Sequence, residues 1–120
     1  MATILIVDDS TSMRQLVTFA LKGDGHEVIQ AEDGVEALKL AKTSQADLVI
    51  TDANMPNMDG LTLVKELRTL PNYKFTPILV LTTESSQDYK MRGKQAGASG
   101  WIVKPFSPDQ LLATVKKVLN

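Results

Sequence analysis

Four short apolar runs constrain this chain more than any other feature: Ile4-Leu5-Ile6-Val7, Leu48-Val49-Ile50, Ile78-Leu79-Val80-Leu81 and Trp101-Ile102-Val103. None alternates with polar residues. A strand with one wet face alternates, whereas a strand covered on both faces does not, and such strands belong to parallel sheets packed between helices. Val28-Ile29, flanked by His26, Glu27 and Gln30, is shorter and more polar and suits an edge strand.

Between these runs the apolar residues recur at helical spacing. Met13, Leu16, Val17, Ala20 and Leu21 fall on one face, as do Leu63, Val64, Leu67 and Leu70, and Leu111, Leu112, Val115, Val118 and Leu119. Val35, Leu38 and Ala41 form a thinner set. A fourth helix over 87–96 is sparsely patterned and carries Gly93 in its interior, at a cost of about 1 kcal/mol relative to Ala. It is expected to be the least firmly held. Gly23 and Gly25, Gly97, and Pro108 punctuate helix ends and starts, and Asp59-Gly60 reads as a turn and cap. Strand and helix thus alternate five times, which predicts an α/β fold with a parallel sheet and helices on both faces.

The 120 residues suit one domain spanning 1–120, and 43% hydrophobic with 22% charged residues is an ordinary globular balance. No apolar run approaches the roughly 20 residues that cross a bilayer, so no membrane insertion is expected. There is no cysteine, which excludes disulfides and thiolate metal sites. The net charge of −1 conceals an asymmetry: residues 1–60 hold 10 Asp/Glu against 4 Lys/Arg, and residues 61–120 hold 4 against 9. Without a net basic domain, direct nucleic-acid binding is not expected.

In open parallel sheets the functional crevice lies beyond the carboxyl ends of the strands. Here those ends carry Asp8-Asp9, Asp52, Thr82-Thr83 and Lys104-Pro105. A single acid at such a place is usually a solvated loop edge. Converging on one rim, two carboxylates about 4 Å apart repel by ~4 kcal/mol at an effective dielectric of 20, so three call for raised pKa values or a cation. An all-oxygen donor set favours a hard divalent ion, Mg²⁺ over Zn²⁺, and a Lys and a Thr opposite it suit a tetrahedral anion.

These residues resemble the receiver domains of two-component response regulators, and among them the single-domain chemotaxis regulators. The resemblance runs from Ile4-Leu5-Ile6-Val7-Asp8-Asp9 through Asp52-Ala53-Asn54-Met55-Pro56-Asn57-Met58-Asp59-Gly60 to Ala96-Gly97-Ala98-Ser99-Gly100-Trp101-Ile102-Val103-Lys104-Pro105-Phe106. It implies a flavodoxin-like (βα)5 fold with strand order 2-1-3-4-5. It implies that Asp52 accepts a phosphoryl group, that Asp9, Asp52 and the backbone carbonyl of Asn54 ligate Mg²⁺, and that Asp8 holds the ion through a water. Lys104, before a Lys-Pro bond often cis in the family, would pair with Asp52 and then with the phosphoryl oxygens, and Thr82 would be the switch hydroxyl.

The same resemblance implies a cytoplasmic, monomeric signalling protein that catalyses only its own phosphorylation and dephosphorylation. Its expected partners are a CheA-like histidine kinase, a separate downstream target such as the flagellar motor switch, and a phosphatase. The target is expected on the surface of the fourth helix, fifth strand and fifth helix, where Lys90 and Lys94 share a helix face and Trp101 belongs to the fifth strand. Trp101 stands where the chemotaxis regulators have a switching tyrosine, Ala53 where they have a tryptophan, Ser10 a phenylalanine, and Thr83 a small alanine. Asn54 and Glu84 match positions that tune phosphoryl lifetime, and a short lifetime is expected. Two other readings stay open: a stand-alone regulator outside chemotaxis, and a small Mg²⁺-dependent aspartyl phosphatase, which the Asp52-Ala53-Asn54 spacing disfavours. His26 is expected to be exposed in a turn.

Overall fold

The structure, a computed structural model, describes residues 2–119. The strands β1 (Thr3–Val7), β2 (Glu27–Ala31), β3 (Leu48–Asp52), β4 (Ile78–Thr82) and β5 (Gly100–Val103) alternate with the helices α1 (Thr11–Gly23), α2 (Gly34–Thr43), α3 (Gly60–Arg68), α4 (Gln87–Ala96) and α5 (Pro108–Leu119). All strand pairs are parallel and the spatial order is β2-β1-β3-β4-β5, the flavodoxin-like arrangement expected. The strands run further than their apolar cores, because ladder pairing continues into polar residues. Thus β2 pairs from Glu27, opposite Thr3, to Ala31, opposite Val7, and Asp52 and Thr82 are the last residues of their strands.

Side chains alternate across the sheet and build two cores. Ile4, Ile6, Leu48, Ile50, Leu79 and Leu81 face α1 and α5, where Val17, Leu21, Leu111 and Val115 close over them. Leu5, Val7, Val49, Ile78 and Val80 face α2, α3 and α4, packed by Ala37, Ala41, Leu63, Val64 and Leu67. With both faces of the central strands covered, every residue of β3 and β4 is buried, which is why these strands show no polar alternation.

Caps mark the helix starts. Ser10, Asp33, Asp59 and Ser86 accept hydrogen bonds from the amides of Met13, Glu36, Thr62 and Tyr89, each satisfying one orphaned N–H of a first turn. Gly97, at φ 110, ends α4 in the left-handed conformation that glycine adopts without a Cβ clash.

Four expectations needed correction. The buried face of α2 is set by Gly34, Ala37 and Ala41, about one residue round from the Val35 stripe, and Val35 is exposed. Leu16 is 45% exposed because the apolar stripe of α1 is wider than the surface that the sheet and α5 cover. Leu70 lies beyond α3, capping a short 3₁₀ turn over Pro71–Tyr73. His26 is half-buried, accepting the Ala2 amide on Nδ1 at 3.2 Å, with Nε2 3.7 Å from Asp24.

Candidate phosphorylation site

The parallel register gathers the residues singled out from the strand ends. Val7 pairs with Thr51, Asp52 with Leu81 and Thr82 with Val103, so Asp8, Asp52, Thr82 and Lys104 emerge in neighbouring rows at the carboxyl edge. One carboxylate oxygen from each of Asp8, Asp9 and Asp52 lies within 4.8 Å of the others. Asp8 is 1% exposed, Asp52 7% and Thr82 2%, whereas Asp9 is open to solvent.

The half-buried Lys104 reaches in from the β5–α5 loop and donates from Nζ to Asp52 Oδ1 at 2.6 Å. Its backbone is tied down as well, since its amide donates to Thr82 O at 2.8 Å, and the following peptide to Pro105 is cis, as expected. The ammonium partly offsets the carboxylates. It leaves Asp8 carrying an electrostatic load: burial above all, with Asp52 and Asp9 adding to it, pushes the Asp8 carboxyl above its usual value of 3.8, while the Ser10 amide and Lys104 pull the other way.

Asp8 Oδ1 accepts the Ser10 amide at 2.9 Å, but the buried Oδ2 has no partner among the described residues. A buried carboxylate oxygen without a donor is costly, and it borders two further carboxylates. That observation, with a donor set made only of oxygen, fits a hard divalent cation. Asn54, exposed in the loop after β3, lines a polar cavity of about 280 Å³ shared with Asp59, Thr82, Glu84, Tyr89 and Arg92. Thr82 Oγ1 accepts the Glu84 amide at 2.8 Å, and its own proton is directed at the neighbouring Tyr89 hydroxyl oxygen.

The start of α3 is pressed against the end of β3. Gly60 donates its amide to Ala53 O at 2.9 Å, and a Cβ at Gly60 would collide with the carbonyl oxygen of Asp52, so only glycine allows this approach. On the opposite side, the Arg14 guanidinium donates to Asp8 O at 2.6 Å and to Thr11 Oγ1 at 3.4 Å, bracing the turn that presents Asp8 and Asp9.

Sequence reasoning missed Arg14 and Tyr89. Arg14 sits three residues into an ordinary amphipathic helix and nothing in its spacing points back to Asp8. Tyr89 is placed against Thr82 by the cap of α4; burial raises its hydroxyl pKa and the Thr82 hydroxyl pulls it back. Trp101, Lys90 and Lys94 stand outside the carboxylate cluster. Trp101 is half-buried under α4, Lys90 is half-buried and Lys94 is exposed.

Beside this rim Met13, Leu16, Thr83, Lys104, Pro105 and Phe106 enclose an apolar hollow of about 400 Å³, which accounts for the exposed face of Leu16. Among the described residues no helix is long and apolar enough to cross a membrane.

The same arrangement recurs in known proteins. Residues 4–116 match the response regulator receiver domain. The chain is 42% identical over 119 residues to the chemotaxis protein CheY homolog of Campylobacter jejuni, covering 98% of this chain and 92% of that one. It is 40% identical over 117 residues to the alkaline phosphatase synthesis transcriptional regulatory protein PhoP of Bacillus subtilis, of which it spans 48%.

The structure of Vibrio cholerae chemotaxis protein CheY4 superposes with a TM-score of 0.96 at 52% identity, over 98% of each chain. The receiver domain of a sensor histidine kinase from Pseudomonas aeruginosa, 26% identical and with a TM-score of 0.90 over 98% of this chain and 97% of that one, holds a magnesium ion coordinated in its active-site cleft. The strand order, the acidic rim with its lysine, and near full-length identity to CheY homologues together make this chain a member of the response regulator receiver family, a two-component signalling domain.

Proposed function

We propose that residues 1–120 act as one receiver domain in which Asp52 accepts a phosphoryl group from a histidine kinase. The observation that carries this reading is the Asp52 carboxylate, nine-tenths buried, held by Lys104 at 2.6 Å beside two further aspartates. In the step, an Asp52 oxygen forms a bond to phosphorus as the P–N bond to the donor imidazole breaks, and the freed nitrogen leaves with the electron pair. Lys104 holds the carboxylate in place beforehand and then meets the charge on the new phosphoryl oxygens; positioning and charge neutralisation carry most of such a reaction.

Asp9, Asp52 and the backbone carbonyl of Asn54 are the groups that would hold Mg²⁺, with Asp8 behind them. Bound there, the ion would neutralise the carboxylates and the transferring phosphoryl group. Thr82 would turn from the Glu84 amide and Tyr89 to donate its proton to the phosphoryl oxygens. Hydrogen bonds to charged groups are worth ~1.5–3 kcal/mol each, and moving an equilibrium from 1:99 to 99:1 takes about 5.5 kcal/mol. Two such contacts, from Thr82 and Lys104, give about 3–6 kcal/mol together and so complete the shift only in a domain already poised between its two states. The responding surface in this reading is α4, β5 and α5, with Trp101 beneath and Lys90 and Lys94 on it, docking a downstream protein.

We infer chemotaxis as the pathway because the CheY homologue of Campylobacter jejuni and CheY4 of Vibrio cholerae align over almost their whole lengths. Acetyl phosphate should label the protein in Mg²⁺ and not in EDTA, and Asp52→Asn should abolish the label. Labelling that survives Asp52→Asn removes the assignment. Turnover of many small phosphate esters would favour the aspartyl phosphatase instead.

A further inference from the structure

The sparsely patterned α4 carries a glycine where a helix interior ordinarily avoids one. Gly93 is buried, and its φ lies outside the left-handed region, so its backbone would accept any L-residue. What it accommodates is a neighbour. A Cβ built on Gly93 would lie 2.7 Å from Trp101 Cζ2, 3.1 Å from Nε1 and 3.2 Å from Cε2. All three atoms belong to one rigid bicyclic ring, which cannot bend away as the tip of a flexible side chain would.

The ring pays for this seat in one respect: its Nε1–H is buried and has no acceptor among the described residues. An unpaired indole donor loses its hydrogen bond to water, and rotation of the side chain into solvent would restore it. Two opposed effects therefore meet at one side chain. Ring packing against the bare backbone of α4 draws the indole in, and the orphaned donor pushes it out.

We propose that Gly93 is the socket for Trp101: the absence of a side chain at residue 93 seats the indole beneath α4 and so positions α4 on β5. The pairing is one of size, large on the strand and nil on the helix, and it explains a helix-weakening residue that the sequence pattern of α4 leaves without a reason. It holds whether or not Asp52 is the phosphoacceptor, since it concerns the contact between α4 and β5 alone.

Trp101 is the sole tryptophan, so its fluorescence reports on this seat directly. The test compares Gly93→Ala in the native background and in a Trp101→Leu background, by urea unfolding followed by circular dichroism, with acrylamide quenching of the native protein and Gly93→Ala. The expected result is a reversal of sign. Gly93→Ala lowers the urea midpoint when Trp101 is present, shifts its emission to the red and raises quenching at least twofold. In Trp101→Leu the same substitution raises the midpoint, because alanine is the better helix former. If Gly93→Ala fails to fold but Gly93→Ala/Trp101→Leu folds, the socket is supported. A rise in the midpoint in both backgrounds, unchanged quenching, or failure of both alanine variants to fold overturns it.

Discussion

Replacing Asp8 by Asn should stabilise the metal-free protein at neutral pH, although it removes a residue from the centre of the site. Asp8 and Asp52 present carboxylate oxygens within 4.8 Å of each other, and at an effective dielectric of about 20 that repulsion is roughly 3.5 kcal/mol. Asp9, exposed, adds only about 1 kcal/mol at the dielectric of water. The Lys104 ammonium beside Asp52 takes back much of the total. An Asn keeps the Ser10 amide on its oxygen and turns an NH₂ toward the acids in place of the unpartnered Oδ2. The net gain should be about 1–3 kcal/mol.

The pH dependence has a definite sign. Burial, and then Asp52 and Asp9, raise the carboxyl pKa of Asp8 above 3.8 in the folded protein. The folded state then binds the proton more tightly than the unfolded one, so wild-type stability falls as pH rises from 3.8 through the raised value and is flat in this contribution above it. The advantage of Asp8→Asn is accordingly complete at pH 7 and gone below 3.8. Urea titrations in EDTA at pH 7 and pH 3.5 measure both ends, and subtracting the two proteins cancels the other titrating groups. Millimolar Mg²⁺ should narrow the gap by stabilising the wild type more than the variant, through mass action on the folded state. A variant less stable than wild type in EDTA at pH 7, or a difference independent of pH, would refute the reasoning.

Two further outcomes concern the scaffold. Arg68 donates to the backbone carbonyls of Gly97, Tyr73, Lys74 and Thr76, and Arg68→Met, which strands these acceptors, should cost about 3 kcal/mol or more in urea unfolding, with Arg68→Lys recovering less than half. A loss under about 1 kcal/mol would show that water satisfies those carbonyls. Tyr73 is wholly buried, donating to Ser44 O at 2.6 Å and accepting the Ala46 amide at 3.0 Å, so Tyr73→Phe should cost about 1–3 kcal/mol and speed hydrogen exchange at Ala46. Unchanged exchange there would show that the amide finds another acceptor.

The fold and the acidic rim were legible because both follow from local rules. Unalternated apolar runs mark doubly covered strands, and the residues just after them must meet at one edge once the strands are parallel and in register. Long-range partnerships left no such mark. The cost of Gly93 is visible in the helix pattern, but its reason is a ring eight residues away on another element. Arg68 looks like a cation ending a helix, and only the tertiary structure shows that it serves backbone carbonyls from the α3–β4 connection and the α4–β5 turn. Leu16 and Val35 mislead for a different reason: periodicity locates an apolar stripe, but its width and centre depend on what happens to cover it.

The Arg68 contacts bear on how α4 can move. Both Arg68 Nε and Nη2 grip the carbonyl of Gly97, so the helix is fastened at its C-terminal end by charged hydrogen bonds, while its first turn, next to Thr82 and Glu84, is held by the Ser86 cap and the packing of the half-buried Tyr89. A helix held more firmly at one end than at the other acts as a lever. Ten residues give it an arm of about 15 Å, so a tilt of about 10° carries the free end roughly 2.6 Å and leaves the fulcrum still. Small displacements of Thr82 thus act at the long end of the arm, and the greatest travel falls on the edge of α4 nearest the carboxylates.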